Sequence, residues 1–215
     1  MKVIITGTTG YVGNGVLLSC LDNPKITEVL SVSRRSVGIQ HPKLKEYLVK
    51  DFIDIPQDAP QLQGYDAVFF CLGMSSAGTP KDVYSHTCYE IPVHFAKCLT
   101  DKQKMHFIYV TGGGADVRPE SKIFWAHVKG MTEHDLSQMG FAGSYGFRVG
   151  IMRPHPQQKV GGKMITSSKI FYPLLRPFNM GNTIEEVAAA MIACAEGKCD
   201  HSVVTVRDIR QLAKE

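Results

Sequence analysis

The stretch Lys2–Gly13, KVIITGTTGYVG, decides how the rest of the chain is read. Val3, Ile4 and Ile5 form an unbroken apolar run, the pattern of a strand covered on both faces rather than one. Glycines follow at 7, 10 and 13, and an apolar helical period then continues over Tyr11–Leu21. This is G-x-x-G-x-x-G at a strand-to-helix turn. Gly7 allows the sharp turn off the strand, Gly10 a close approach of backbone to a pyrophosphate, and Gly13 close packing of the helix on the sheet. The helix N-terminus then faces the phosphates. No Gly-Lys-Ser/Thr follows, so the loop is not of the nucleotide-triphosphatase kind. The expected cofactor contacts here are Gly7, Thr9, Gly10, Tyr11, Val12 and Gly13.

Outward from this loop, short β-branched runs alternate with helical patterns. Strands are expected at Glu28–Ser33, Glu46–Val49, Asp66–Cys71, His106–Thr111 and Ser144–Val149. Helices are expected at Asp82–Thr100, with Pro92 a kink or break, at Ser121–Met139, at Thr183–Ala195 with Asn182 or Thr183 as cap, and at Arg207–Glu215. The alternation predicts an α/β fold, a Rossmann-type doubly wound parallel sheet with helices on both faces. The apolar, Pro-rich run Ile170–Met180 reads as a lid or wall over an apolar substrate, or as a dimer contact.

An acidic residue about 20 positions beyond such a glycine loop reads a ribose 2′-hydroxyl. Ser33 stands there instead, followed by Arg34 and Arg35. An acid would repel a 2′-phosphate, whereas a hydroxyl and guanidinium groups attract one. The cofactor expected is therefore NADP(H) in preference to NAD(H).

Composition bounds the rest. At 215 residues, 44% hydrophobic and 20% charged, the chain is long enough to bury a core and suits one domain, residues 1–215. A net charge of +4 is scattered, with no basic run longer than Arg34-Arg35, which argues against a nucleic-acid surface. The six cysteines lie in apolar segments without a CxxC pair, the pattern of reduced, buried thiols. No apolar run approaches the ~20 residues of a membrane span. With no signal segment expected either, a cytoplasmic protein is the reading. The eight histidines are dispersed and HExxH is absent, so no metal site is expected.

Seven pieces in order, ITGTTGYVG, SVSRR, KDF, FFCLG, VTGGGAD, WAHVKGMTEHDL and FRVGIMRP, resemble the short-chain dehydrogenase/reductase superfamily. More narrowly they resemble its atypical members, grouped with Tat-interacting-protein-like and nucleoside-diphosphate-sugar-epimerase-like proteins. The resemblance covers residues 1–154, the expected cofactor-binding core. It implies that 155–215 form a small substrate-side, C-terminal part. It further implies that Asp51 and Phe52 flank the adenine, that Cys71, Leu72 and Gly73 line the cofactor, that Lys129 holds the nicotinamide ribose, and that Pro154 lies near the nicotinamide. A homodimer and a small-molecule substrate, apolar in one reading, are also implied.

The same resemblance exposes a departure. A family Tyr four residues before the Lys moves the proton, since i and i+4 share a helix face. Here that position is Trp125, whose indole N–H can donate a hydrogen bond but not release a proton near neutral pH. The family's Ser falls at Gly112, with Thr111 adjacent. Lys129, Thr111, Trp125 and His155 of RPHP are the catalytic candidates, and Tyr84, His86 and Tyr89 are other proton carriers. Three functions stay open: an NADP-dependent oxidoreductase with a rearranged proton donor, a non-catalytic NADP(H)-binding sensor or scaffold, and a non-redox isomerase, cyclase or lyase reusing the pocket.

Overall fold

The computed structural model describes residues 1–116, 122–160 and 162–215. β1 (Lys2–Thr6) has Val3, Ile4 and Ile5 wholly buried, as its apolar run requires. It pairs in parallel with β2 (Glu28–Ser33) on one side and β4 (Ala67–Phe70) on the other. The full order is β3 (Leu44–Leu48), β2, β1, β4, β5 (His106–Gly112), β6 (Gly143–Val149), β9 (Val203–Val204), all parallel. The chain winds outward from β1, then returns to β4 and winds the other way. That reversal opens a crevice at the carboxyl ends of β1 and β4, where ligands bind in such sheets.

Helices cover both faces. α1 (Tyr11–Asp22), α6 (Ile184–Ala195) and α7 (Val206–Leu212) pack on one face around Val16, Leu17, Phe147, Val187 and Met191. On the other, α3 (Ile91–Lys97) and α4 (Phe124–Ser137) flank a core holding Phe52, Phe70, Phe95, Phe107 and Leu136. A second, two-stranded parallel sheet joins β7 (Ile151–Arg153) to β8 (Gly181–Thr183), with α5 (Lys163–Leu175) against it. The fold is the expected Rossmann-like α/β arrangement.

Several boundaries differ from expectation. β3 begins two residues early, at Leu44, because its register against Val29 is set by edge pairing. Its side chains are half-buried or exposed, so hydrophobicity marks it poorly. The expected helix Asp82–Thr100 is α2 (Lys81–Ser85), a wider π turn over His86–Glu90, and α3. Pro92 has no N–H to return to the carbonyl four residues back, and the π turn absorbs the mismatch without ending the helical path. α4 starts at Phe124; Ser121, where the sequence placed its start, lies outside the described residues. The helix α5 was not anticipated, since the sequence pattern showed only an apolar run there.

Candidate cofactor and substrate cavity

Each glycine of the loop meets a separate constraint. Gly7 has φ +68°, and a Cβ there would lie 2.8 Å from the Cys71 carbonyl and the Leu72 nitrogen. The first and fourth strands can therefore meet at the crevice only over a bare backbone. A Cβ on Gly13 would lie 2.3 Å from the Gly7 oxygen, so α1 starts hard against the loop. The turn is closed by Gly10 N donating to Gly7 O at 2.8 Å. Thr8 Oγ1 and Ser31 Oγ share a hydrogen bond of 2.7 Å beneath it. Gly10 caps α1 without a side-chain bond, and the first turn holds no acid. The amides of that turn are thus left for an anion from elsewhere.

A cavity of about 660 Å³ opens above this helix end. Its first half brings together Gly7, Thr9, Gly10, Tyr11 and Val12 from the loop, Ser33, Arg34 and Arg35 after β2, Phe52, and Cys71, Leu72 and Gly73 after β4. Arg34 and Arg35 are exposed and form no ion pair with another described residue. Ser33 Oγ donates to the Arg35 carbonyl at 2.6 Å, which fixes the loop rather than pointing the hydroxyl outward. Phe52 is buried beside Phe95. Burial pushes the Cys71 thiol well up from its ordinary range.

The second half is formed by Met74, Ser75, Ser76 and Tyr84, by Val110 to Gly112, by Trp125 and Lys129, and by Val149 to Met152 with Ser167 and Ser168. Lys129 is nearly buried. Its Nζ donates to Tyr109 Oη at 2.8 Å and to the Val110 carbonyl at 3.3 Å. Burial lowers its pKa, against nearby groups such as Glu133 that favour the charge. Tyr109 Oη donates onward to the Cys88 carbonyl at 2.7 Å, and Thr132 Oγ1 lies 2.8 Å from the same oxygen. Cys88 is the residue four before Pro92, so this carbonyl is the one that the missing proline N–H leaves without its helical donor. Pro92 thereby frees the acceptor that anchors Tyr109, and Tyr109 holds Lys129. The sequence reading singled out Pro92 but not Tyr109 or Cys88; the signal was a proline inside a helical period.

Trp125 lies on the glycines at the end of β5 and just beyond it. A Cβ on Gly112 would be 3.6 Å from Cζ3 of the indole, and one on Gly114 2.8 Å from Cη2. The ring and the glycine run are packed against each other. Thr111, adjacent, is buried, and its Oγ1 has no hydrogen-bond partner among the described residues. Gly13, Asp51, Pro154 and His155 are not brought to the cavity wall. Asp51 Oδ1 accepts from the Ile53 amide at 3.2 Å in a local turn. His155 is buried, accepts at Nδ1 from the Gln157 amide at 3.3 Å, and places Nε2 4.0 Å from Asp22 at the far end of α1. After β7 the chain turns toward the far end of α1, and His155 goes with it. Tyr84 does line the cavity, whereas His86 pairs with Glu90 at 2.8 Å outside it. Tyr89 Oη donates to Asp135 at 2.6 Å, also outside it. Among the described residues no group of three or more His, Cys, Asp or Glu could hold a metal, and no helix is long and apolar enough to cross a membrane.

No protein-family model matches the chain. The protein FMP52 of Meyerozyma guilliermondii, named as mitochondrial, is 26% identical over 210 residues, covering 91% of this chain and 85% of its own. HTATIP2 of Rattus norvegicus is 24% identical over 166 residues, covering 76% of this chain and 68% of its own. Among solved structures, UDP-glucuronic acid 4-epimerase from Bacillus cereus in complex with NAD superposes with a TM-score of 0.67 at 12% identity, covering 97% of this chain and 80% of that one. MoeE5 in complex with UDP-glucose and NAD gives 0.69 at 13%, covering 99% and 81%. The expected cytoplasmic location is overturned by the relatives, since FMP52 proteins of three fungi are named as mitochondrial. Over most of its length this chain is similar to the FMP52 and HTATIP2 proteins, and it shares its Rossmann-like α/β fold with solved structures in complex with NAD.

Proposed function

We propose that the chain binds NADP(H) in the first half of the cavity and acts as an oxidoreductase on a small, apolar molecule in the second. The observation that carries this reading is the uncapped, acid-free N-terminus of α1 with two arginines beside it on the same cavity that form no ion pair with another described residue. Loop amides at Gly7 to Gly13 would take the pyrophosphate, Arg34 and Arg35 the 2′-phosphate, Phe52 the adenine edge, and Lys129 the nicotinamide ribose. Bound there, NADPH supplies a hydride. The chain's part is to orient that ligand, to exclude water behind Trp125 and Met152, and to hold Lys129 where a ligand oxygen can share its third donor. Residues 1–154 would carry the cofactor and 155–215 close the substrate side of one unit, with a homodimer as the assembly.

A second reading, binding without hydride chemistry or a non-redox reaction, is favoured by one observation. Trp125 packed on Gly112 and Gly114 leaves neither hydroxyl of the family's proton path in place. Titrating NADPH and NADH against the parent and Arg34→Ala, by heat and by fluorescence of the single tryptophan, tests the cofactor half. NADPH is expected to bind more tightly, and the variant to lose about tenfold or more for NADPH while NADH changes little, in line with one charge-assisted phosphate contact. Equal losses for both dinucleotides would remove the 2′-phosphate assignment; binding of neither would remove the cofactor reading altogether.

A further inference from the structure

Helix α5 has two faces of opposite kind. Inward, Ser168 lines the cavity and shares a hydrogen bond with Tyr11, and Tyr172 is buried against β8. Outward, Ile170, Phe171 and Leu174 are exposed, and the chain that follows adds Met180 and Phe178, the latter 74% exposed. Leu174 is four residues from Ile170 and three from Phe171, so the three are neighbours on one helix surface. Ten large hydrophobic side chains are exposed among the described residues, and five of them fall within 170–180. Such side chains scattered singly need no explanation, whereas a contiguous group marks a contact surface. The charges around this group are of one sign. Residues 136–184 contain no Asp or Glu but six cations, Arg148, Arg153, Lys159, Lys163, Lys169 and Arg176. Acids from outside the stretch neutralise two of them, Glu133 pairing with Arg148 and Glu186 with Arg176. Arg153, Lys159 and Lys169 are exposed and form no ion pair with another described residue.

A partner that fits is apolar where it meets Phe171 and Leu174 and negative around them. A second copy in a two-fold contact would set this face against itself, lysine toward lysine, and residues 136–184 would bring no acid to offset them. An anionic bilayer supplies both parts, acyl chains under a layer of phosphates. Among the described residues no helix is long and apolar enough to cross a membrane, so the contact is one face lying in the interface plane. We propose that the outward face of α5 and the turn after it dock this protein on an anionic bilayer surface. Ile170, Phe171, Leu174 and Phe178 sit at the boundary of headgroups and acyl chains, and Lys169 sits against lipid phosphates. A lysine stem runs along apolar surface while its ammonium stays among the headgroups. None of these five side chains lines the cavity, so the proposal stands apart from the cofactor assignments.

The full chain is floated with vesicles of phosphatidylcholine alone and with vesicles holding about 30 mol% phosphatidylglycerol, at low and high salt. Its mass in solution without lipid is followed by sedimentation velocity. The parent is expected to float with the anionic vesicles, to bind phosphatidylcholine weakly, and to be partly released by salt. Leu174→Gln combined with Phe178→Gln should weaken binding to anionic vesicles about tenfold or more, since two large apolar side chains leave the interface. Lys169→Glu should weaken it about fivefold while leaving the weak phosphatidylcholine binding unchanged. Its side chain is exposed, so this variant also serves if the double variant does not fold. Absence of vesicle binding, equal binding to both lipids, or parent-like binding by Lys169→Glu or by a folded double variant would each overturn the proposal. A parent dimer that the double variant turns into monomers, with no vesicle binding, would overturn it in favour of a second copy on this face.

Discussion

Lys129 shows what a buried ammonium costs the fold. Its ammonium is buried, and burial holds its pKa below the ordinary 10.5. The sign follows: above 10.5 the lysine is neutral in both states and carries no penalty. As pH falls below 10.5 the unfolded chain takes up a proton that the folded chain resists, and the penalty is complete once pH is below the folded value. An apolar side chain of similar length escapes it, and Tyr109 keeps its own donor bond to Cys88. Lys129→Met is therefore expected to be more stable at pH 7 by on the order of 1 kcal/mol, a rise in Tm of about 2–4 °C. That advantage should shrink as pH approaches 10, and NADPH affinity should fall. A melting curve at pH 7 showing a variant less stable than the parent would mean that the lysine's hydrogen bonds outweigh its desolvation. At this scale the sequence was most legible: the glycines, Lys129 and Trp125 announce themselves by type and spacing. Tyr109 did not, because a tyrosine inside a buried strand looks like core until its hydroxyl is seen to hold Lys129.

At the scale of elements, α6 shows a start that its residues dictate. Thr183 accepts from the Glu186 amide at 3.1 Å and Glu186 accepts from the Thr183 amide at 2.8 Å, a reciprocal box that satisfies two of the helix's orphan donors. Glu186 is also gripped by Arg176 at 2.7 and 2.9 Å from the end of α5. Burial alone would raise the Glu186 carboxyl, but Arg176 and the Thr183 amide outweigh it and hold it below its ordinary range. Thr183→Ala removes the cap and is expected to cost about 1 kcal/mol, or about 2–4 °C in Tm, by calorimetry. An unchanged Tm would show that the Arg176 pair holds the helix end by itself. This cap was legible, because Thr-x-x-Glu before an apolar run is a local signal. α5 was not: its outward face carries Ile170, Phe171 and Leu174 at 58%, 51% and 64% exposure, so its apolar residues do not mark a buried stripe. Nor was the π turn, which arises from a misfit between Pro92 and the helix around it.

At the scale of the molecule, Tyr11 joins the two halves of the cavity. It sits in the glycine loop, yet its hydroxyl donates to the Met152 carbonyl on β7 at 2.5 Å and lies 2.9 Å from Ser168 Oγ on α5. From below, Gln158 Nε2 donates to the Tyr11 carbonyl at 2.7 Å. A ligand that stiffens the loop is thereby connected to the wall of the substrate half. Tyr11→Phe keeps the ring and removes the tie. Hydrogen exchange over 163–175 is expected to slow when NADPH binds the parent, and to slow much less in Tyr11→Phe at equal saturation. Equal protection in both would mean that α5 is held by its own packing on β7.

By itself the sequence determined the layered α/β fold and the glycine loop with its helix, and it placed an indole, Trp125, four residues before Lys129. These are local: strand and helix periods, and glycines where no Cβ fits, act over a few neighbours and leave their mark in residue order. Only the tertiary structure decided which candidates share a cavity. It placed Trp125 on the glycines at the end of β5 and turned His155 away toward Asp22. Among the described residues it left Thr111 Oγ1 without a partner, and it tied Lys129 through Tyr109 to the Cys88 carbonyl, four residues before Pro92. Those outcomes depend on how elements far apart in the chain pack on one sheet, and hydrogen-bond pairing across such distances leaves no period for a sequence to display.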